Sequence, residues 1–253
     1  MTTSNPAALS VRGATKRFGA VVALDGVDID VRRGEVLALL GDNGAGKSTL
    51  IKCVTGVQRL DSGTVAMDGI PVDPGSPAAA RALGIETVYQ DLALFDNLDP
   101  AANFYAGREM TTPGWLPRGL RLVRRRAMAE ATAGVLRRLE VGGADVNTPV
   151  GLMSGGQRQA IAVARAAAFA TNVVILDEPT AALGVRESRH VLDLIIRLRA
   201  EGLAIIVVSH AMDHVMEIAD RAVVLRRGRA VGDLIPRPEN KERIVSLIVG
   251  GNG

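Results

Sequence analysis

The sequence lacks a cysteine pair, since its 253 residues include a single cysteine, Cys53. An internal disulfide is therefore excluded, and one thiol fits a protein of a reducing compartment. Cys53 follows a glycine-rich loop inside a helix-like run, and we expect it to be a small core residue.

Long apolar runs and a targeting segment are also missing. No apolar stretch approaches the roughly 18–20 residues that cross a bilayer, and the longest, such as 203–208, have the length of a strand. Residues 1–8 are polar, without the basic and apolar regions of a targeting signal. We expect the chain to be soluble by itself, so that a partner carries any membrane-spanning helices.

An excess of charge of one sign is absent as well. The chain has 30 basic and 27 acidic residues and a net charge of +3, a balance that does not favour a nucleic-acid partner. Hydrophobic residues make up 47% of the chain, enough for a sizeable core. The length fits one large domain or a compact domain with a subdomain.

The most informative motif present is GDNGAGKST, a glycine-rich loop between an apolar run and a helix-like run. It matches the phosphate loop G-x-x-x-x-G-K-[ST], whose backbone N–H groups surround a polyphosphate at a helix start. We expect Lys47 to reach the β- and γ-phosphates and Ser48 to bind Mg²⁺. The residues predicted to bind nucleotide here are Gly41, Asp42, Asn43, Gly44, Ala45, Gly46, Lys47, Ser48 and Thr49. Kinases, GTPases, helicases, motors and transport ATPases share this motif.

Strand-like and helix-like runs alternate along the chain. Apolar or alternating runs predict strands at 27–31, 36–40, 63–67, 85–88, 173–176, 204–208 and 222–225, the last with a hairpin partner at 228–233. Periodic runs predict helices after the phosphate loop and at 76–83, 101–106, 124–140, 157–169, 187–199 and 211–219. Repeated strand–helix units predict an α/β fold with a mostly parallel sheet and helices on both faces.

The middle of the chain contains a basic segment. Five arginines lie between Arg118 and Arg126, next to a Pro/Gly stretch at 113–119. A solvated helix face or loop is the favoured interpretation. A docking surface for lipid headgroups or an acidic partner is the alternative.

Two acidic residues follow the predicted strand 173–176. Asp177 comes at the carboxyl end of this strand, where a carboxylate lies beside the phosphate loop and can hold Mg²⁺. Glu178 is one residue further and could accept a proton from an attacking water. An acidic turn without function is the alternative, but the phosphate loop upstream favours catalysis.

Two further polar residues follow predicted strands. Gln90 comes after 85–88, and its neutral amide can bind a magnesium-bound water. His210 ends the strand 204–208 and can donate to the γ-phosphate. His190 and His214 lack such positions, and we interpret them as ordinary helix residues.

The segment MSGGQ precedes the helix predicted at 157–169. Ser154 and Gln157 have the spacing of a capping box, which is the simplest interpretation. Gly155 and Gly156 also expose N–H groups at a helix start, which is an anion site. Because the phosphate loop already binds one nucleotide, this second site requires another nucleotide or another subunit.

Together, GDNGAGKST, Gln90, MSGGQ, VVILDEPT and Ser209-His210 make the chain resemble the nucleotide-binding subunits of ATP-binding cassette (ABC) transporters. SGGQ is the discriminating element, since other phosphate-loop ATPases lack it. The resemblance covers nearly the whole chain and implies one nucleotide-binding domain over residues 1–253. It implies an N-terminal antiparallel β subdomain and a helical subdomain at about 91–160, inserted in the ATPase core.

The resemblance also implies ligands and partners. ATP and Mg²⁺ would be the cofactors, and Phe18 would stack on adenine, with a core position as its alternative. Two subunits, expected to form a homodimer, would hold each ATP between one phosphate loop and the partner's Ser154, Gly155, Gly156 and Gln157. The pair would work at the cytoplasmic face of the inner membrane, peripheral to permease subunits that contact 90–108, and indirectly with a solute-binding protein.

Two residues depart from the family pattern. Met153 replaces the usual Leu before SGGQ, a mild change in volume. Gly184 replaces the usual Asp after the EPTAAL segment, a position that normally contacts the opposite site. Hydrolysis is still expected, because Gly184 removes neither the magnesium ligands nor the base.

The sequences of 84–109 and 176–188 resemble those of the ATPases of bacterial importers for ribose-type monosaccharides. Most of these carry two cassettes, and this single cassette is similar to fructose-importer-like members. The alternatives are an exporter ATPase and a soluble ABC protein acting on DNA or ribosomes. The 104 residues between Thr49 and Ser154 are too few for a very long coiled coil and have no sustained heptads, which argues against a chromosome-maintenance protein. A kinase is least favoured, because no second substrate pocket is indicated.

Overall fold

A computed structural model describes residues 7–112, 122–142 and 145–250. Their strands are β1 (Leu9–Phe18), β2 (Val21–Val31), β3 (Val36–Leu40), β4 (Ser62–Met67), β5 (Ile70–Val72), β6 (Ile85–Val88), β7 (Val173–Asp177), β8 (Ala204–Val208), β9 (Arg221–Arg226) and β10 (Arg229–Leu234). Their α-helices are α1 (Lys47–Val54), α2 (Pro77–Ala82), α3 (Pro100–Tyr105), α4 (Arg125–Arg138), α5 (Gly155–Phe169), α6 (Val185–Ala200), α7 (Met212–Ile218) and α8 (Lys241–Val249).

The N-terminal strands form an antiparallel sheet in the order β2-β1-β4-β5. Leu9 at the start of β1 lies opposite Val31 on one side and Met67 on the other. Asp68 and Gly69 both have positive φ, which is the backbone of a tight hairpin turn between β4 and β5. The predicted antiparallel β subdomain is confirmed.

The core sheet has the order β10-β9-β3-β8-β7-β6, and only the β9–β10 hairpin is antiparallel. β3 reads VLALL and is buried along its whole length, as a central parallel strand should be. Each fully buried Val or Leu side chain contributes roughly 1.5–3 kcal/mol of burial free energy. Parallel pairing places the carboxyl ends of β3, β6, β7 and β8 at one edge, where the predicted site residues follow.

Side chains alternate along β3 between different layers of the core. Leu37 and Leu39 pack with the N-terminal sheet and α1, where Cys53 is buried as expected. Val36 packs with α5 and α6 on the opposite face, and Leu40 packs with α7 and α8. Helices therefore cover both faces, and the predicted α/β class is confirmed.

The predicted strands and helices are found, with shifts at their ends. α5 begins at Gly155 because the capping box starts the helix before Gln157, and α6 extends over Val185–Ala200. β2 is longer than the predicted 27–31 because it pairs with β1 over Val21–Val31. β1, β5 and α8 were not predicted individually. In β1, Gly13 (φ +59°) lies at a register shift, and such a bulge breaks the two-residue alternation that marks a strand.

The Pro/Gly stretch predicted at 113–119 and Arg118 lie outside the described residues. Arg124, Arg125 and Arg126 are exposed where α4 begins, in accord with the predicted solvated face. Across the described ranges, no helix is both long and apolar enough to cross a membrane.

Candidate active site

A cavity of about 390 Å³ opens at the carboxyl edge of the core sheet. It brings together predicted residues from the ends of four strands and from β1. Those that line it are Phe18, Asn43, Gly44, Ala45, Gly46, Lys47, Ser48, Thr49, Gln90, Asp177, Glu178 and His210. Gly41 and Asp42 adjoin the cavity at the end of β3 without lining it. Phe18 is 45% exposed, so the alternative of a core phenylalanine is wrong.

The phosphate loop depends on close backbone packing at two glycines. At Gly41 (φ +147°) a Cβ would lie 2.3 Å from the carbonyl oxygen of Leu225. At Gly46 (φ +108°), which precedes α1, a Cβ would lie 2.6 Å from the carbonyl oxygen of Ala23. Both positions exclude larger residues by conformation and by space. Gly44 has positive φ but open space, so only its conformation favours glycine.

Lys47 is buried in its own loop. Its Nζ donates hydrogen bonds to the carbonyl oxygens of Gly41 at 2.6 Å and Asp42 at 3.1 Å. Burial lowers the pKa of Lys47, while the carboxylates of Glu178 and Asp177 act to raise it. These groups supply part of the compensation that a buried ammonium requires.

Asp177 and Glu178 present two carboxylates where β7 ends. Burial raises the pKa of both carboxyl groups, and the positive charges of Lys47 and His210 oppose that shift. The N–H of Glu178 donates to Val208 of β8 at 2.9 Å, and its φ of +53° is left-handed, a conformation that non-glycine residues seldom adopt. Strained backbone of this kind is concentrated at functional sites.

One carboxylate oxygen of Glu178 faces the imidazole of His210. Its Oε1 is buried and forms no hydrogen bond with the described residues, although His210 Nε2 lies 3.3 Å away. A carboxylate with a raised pKa and an unsatisfied oxygen is suited to take a proton from water. The base role of Glu178 stays a prediction.

Three oxygen-bearing side chains in the cavity fit a magnesium ion: Ser48, Gln90 and Asp177. The residues that the structure describes hold no cluster of three or more His, Cys, Asp or Glu side chains suited to a metal. Mg²⁺ needs no such cluster, because it is commonly bound by one or two carboxylates together with waters and substrate phosphates. The donor set is consistent with that chemistry.

Ser154, Gly155, Gly156 and Gln157 lie away from this cavity. The capping box is confirmed, since Ser154 N–H donates to Gln157 Oε1 at 2.9 Å and Gln157 N–H donates to Ser154 Oγ at 3.3 Å. The segment borders a second cavity of about 570 Å³, shared with Glu187 and neighbouring residues of α6. A single chain does not bring the two predicted anion sites together.

Sequence reasoning missed two polar contacts near the site. His214 lies on α7 as expected, but its Nδ1 is 3.0 Å from Thr180 Oγ1, two residues after Glu178. Arg165 of α5 donates to the carbonyl oxygens of Leu92 and Ala93, just after Gln90. No local sequence signal indicates either contact, because each joins residues that are distant in the chain.

The sequence matches the family model described as ABC transporter over residues 24–181. Fructose import ATP-binding protein FrcA of Rhizobium meliloti is 46% identical over 243 residues, which cover 96% of this chain and 94% of that protein. Xylose/arabinose import ATP-binding protein XylG of Sulfolobus acidocaldarius is 43% identical, with 95% and 93% covered. Ribose import ATP-binding protein RbsA 1 of Rubrobacter xylanophilus is 43% identical, but this chain spans only 47% of its length.

Among solved structures, the chain is similar to a nucleotide-free ATP-binding cassette from an ABC transporter. The TM-score is 0.80 at 24% identity, and the match covers 96% of this chain and 97% of that one. At this identity the likeness concerns the fold, and it confirms the α/β cassette architecture.

Proposed function

Because this chain belongs to the ABC transporter family, we propose that its ATPase activity powers the import of a monosaccharide. The observation that carries the ATPase assignment is the single cavity that collects Lys47, Asp177, Glu178 and His210 at the carboxyl edge of the sheet. The names of the similar sugar-import proteins support the solute class. An exporter ATPase is the alternative, and no observation favours it.

In the proposed reaction, a water attacks the γ-phosphate of ATP in line with the leaving β-phosphate oxygen. Lys47 binds the β- and γ-phosphates, Glu178 takes the proton of the water, and His210 holds the γ-phosphate. Ser48, Asp177 and Gln90 would hold Mg²⁺, which neutralises phosphate charge when bound. Phe18, half exposed at the rim of the cavity, would stack on adenine.

The second half of each site would come from another copy of the chain. Ser154, Gly155 and Gly156 lie apart from the cavity on the same chain, and the exposed N–H groups at a helix start suit an anion. A head-to-tail homodimer would place this end of α5 against the γ-phosphate of its partner. ATP would then favour the closed pair, and hydrolysis would release it.

In this proposal residues 1–253 form one nucleotide-binding domain, and a helical subdomain at about 91–160 is inserted in it. Phe104 of α3, Leu136 of α4 and Val150 are buried in one cluster with α5, in support of a helical subdomain. Leu176 of β7 belongs to the same cluster, so the helices share a core with the ATPase sheet.

Permease subunits at the cytoplasmic face of the cell membrane would be the direct partners, and a solute-binding protein an indirect one. Phe95 is 55% exposed in the loop after Gln90, and Leu152 is 79% exposed. Their neighbours in the chain are joined, because Gly151 N–H donates a hydrogen bond to the carbonyl oxygen of Asp96. These apolar side chains suit the docking of a short helix from the permease.

The test is transport by the chain reconstituted in vesicles with its permease and solute-binding protein. We expect a labelled pentose or hexose to accumulate on the side of the membrane where the ATPase lies. This accumulation should require ATP on that same side. The Glu178→Gln protein, assembled in the same way, should give none. Export of the solute, or assembly without transport of any sugar, would contradict the importer assignment.

A further inference from the structure

The loop after β6 carries Gln90 into the active-site cavity and then turns sharply. Leu92 (φ +59°) and Ala93 (φ +45°) both adopt the left-handed conformation, which side chains with a Cβ rarely accept. Hydrogen bonds from Leu92 N–H to Tyr89 and from Ala93 N–H to Asp91 close the turn. Two such residues in succession need an external contact that holds them.

Arg165 of α5 supplies that contact. Its Nη1 donates to the carbonyl oxygen of Ala93 at 2.7 Å, and its Nη2 donates to the carbonyl oxygen of Leu92 at 2.8 Å. The planar guanidinium presents two parallel donors, a geometry that a lysine ammonium does not reproduce. Because both acceptors are main-chain atoms, Arg165 holds the shape of the turn itself.

The guanidinium of Arg165 is partly buried and lies near two other charged groups. Burial lowers the pKa of Arg165, the negative charge of Glu86 on β6 acts to raise it, and the positive charge of Arg108 acts to lower it. Glu86 accepts a hydrogen bond from Arg108 at 2.8 Å, and Arg108 lies 4.1 Å from the centre of the ring of Phe169 at the end of α5. The two hydrogen bonds to the turn are therefore made beside an ion pair that joins β6 to the segment after α3.

The same helix begins at the SGGQ segment. Ser154 and Arg165 are eleven residues apart, about 16 Å along a helix that rises 1.5 Å per residue. Two further hydrogen bonds join the loop to the region where α5 begins. Arg158 donates to the carboxylate of Asp96 at 2.5 Å, and the N–H of Val150 donates to the carbonyl oxygen of Leu98 at 3.0 Å. A shift of α5 would therefore move the loop that carries Gln90.

We propose that Arg165 is a positioning residue that places Gln90 in the active site and links it to the Ser154 end of α5. The inference rests on the proposed function, since Gln90 acts there on the magnesium site. When a partner's nucleotide engages Ser154 and the following glycines, Arg165 passes the displacement of α5 to Gln90 through two main-chain hydrogen bonds.

A double-mutant cycle tests this inference. Arg165→Met keeps an unbranched aliphatic stem and removes both hydrogen bonds. It should lower kcat about as much as Gln90→Ala and raise the Mg²⁺ concentration for half-maximal hydrolysis, with nucleotide binding in EDTA unchanged. Adding Arg165→Met to the Gln90→Ala protein should cause no further loss of kcat. If the losses multiply instead, Arg165 does not act through Gln90 and the inference is overturned.

Arg126→Met is the control, because Arg126 is an exposed arginine of α4 that pairs with Glu130 at 3.0 Å and contacts neither α5 nor the Gln90 loop in any ion pair of the described residues. It should leave kcat and the Mg²⁺ dependence close to those of the unchanged protein. Arg165→Lys, which can reach one carbonyl, should restore part of kcat relative to Arg165→Met. No recovery with lysine, or an equal loss in Arg126→Met, would count against the inference.

Hydrogen exchange gives a readout that does not depend on turnover. The amides of 90–93 should exchange faster in full-length Arg165→Met than in the unchanged protein or in Arg126→Met. Unchanged exchange in Arg165→Met would overturn the inference even if the ATPase assignment held. Faster exchange in a chain that hydrolyses no ATP would support the link and contradict the proposed function instead.

Discussion

His210 and Glu178 lie side by side, with Nε2 of the histidine 3.3 Å from Oε1 of the glutamate. They follow the neighbouring parallel strands β8 and β7, so the pairing of the sheet fixes their separation. The histidine lowers the pKa of Glu178 against the larger opposite effect of burial. A carboxylate and an imidazole are thus held at one point, in the cavity that Lys47 and Asp177 also line.

Replacement of Glu178 by glutamine should stop hydrolysis but keep nucleotide binding. Loss of a general base typically costs about a hundredfold to ten-thousandfold in rate. Phosphate release by Glu178→Gln should fall by that order, while its affinity for ATP stays the same. Glu239→Gln, at an exposed glutamate far from the cavity, is the control and should turn over normally. Full turnover by Glu178→Gln would show that another group is the base.

The same substitution should make the folded protein more stable. Burial raises the pKa of Glu178 in the folded state, so its stabilising contribution is present when the carboxyl is protonated and is lost as pH rises through the shifted pKa. Removing the charge should therefore stabilise the chain near neutral pH, by up to about 1 kcal/mol on the usual scale of single substitutions. The difference in Tm between Glu178→Gln and the unchanged protein should grow as pH rises and vanish in acid. A constant difference would contradict this account.

Lys47→Met should weaken nucleotide binding. Lys47 is the buried cation of the phosphate loop, and methionine keeps its aliphatic stem without the charge. We expect the Kd for ATP to rise about tenfold or more, on the scale of a lost charge-assisted hydrogen bond. Lys241→Met, at an exposed ion pair with Asp213, is the matched control for titration calorimetry. Equal affinities of the two variants would be evidence against the predicted role of Lys47.

Gly46→Ala should destabilise the fold more than Gly19→Ala. Both glycines have positive φ, but a Cβ at Gly46 meets the carbonyl oxygen of Ala23 at 2.6 Å, whereas Gly19 has open space. Alanine at a left-handed position costs about 1 kcal/mol, and overpacking adds about 1–3 kcal/mol more. Urea unfolding measures both variants, and equal losses would show that space is not limiting at Gly46.

Gly184→Asp should leave the free energy of unfolding nearly unchanged or raise it. Gly184 is the N-cap of α6 with extended backbone, where an aspartate side chain can accept an N–H of the first helical turn. A Cβ there would lie 2.5 Å from Oε2 of Glu187, which is the end of a flexible side chain that can turn away. Glu187→Gln removes the like charge beside the new carboxylate and should make the double variant more stable than Gly184→Asp alone. A loss of more than about 1 kcal/mol in urea unfolding of Gly184→Asp would contradict this account.

The sequence predicted the core sheet because buried parallel strands are continuous apolar runs, as at β3 and β8. It also predicted the cavity, since Asp177 and His210 follow parallel strands whose carboxyl ends meet. The bulged strand β1 was not predicted individually, because Gly13 interrupts its alternation. The left-handed turn at Leu92 and its contact with Arg165 depend on packing between distant segments, and no local pattern encodes them.

The central claim is that two copies of the chain enclose ATP between the phosphate loop of one and the SGGQ segment of the other. Light scattering of Glu178→Gln with saturating Mg-ATP measures this most directly. We predict a particle of twice the mass of one chain. When Gly155→Arg is added, we predict monomers. A Cβ at residue 155 would lie 3.6 Å from the side chain of Leu183, which is an ordinary contact within the chain. Monomers of Glu178→Gln under all conditions, including in the presence of the permease, would contradict the account.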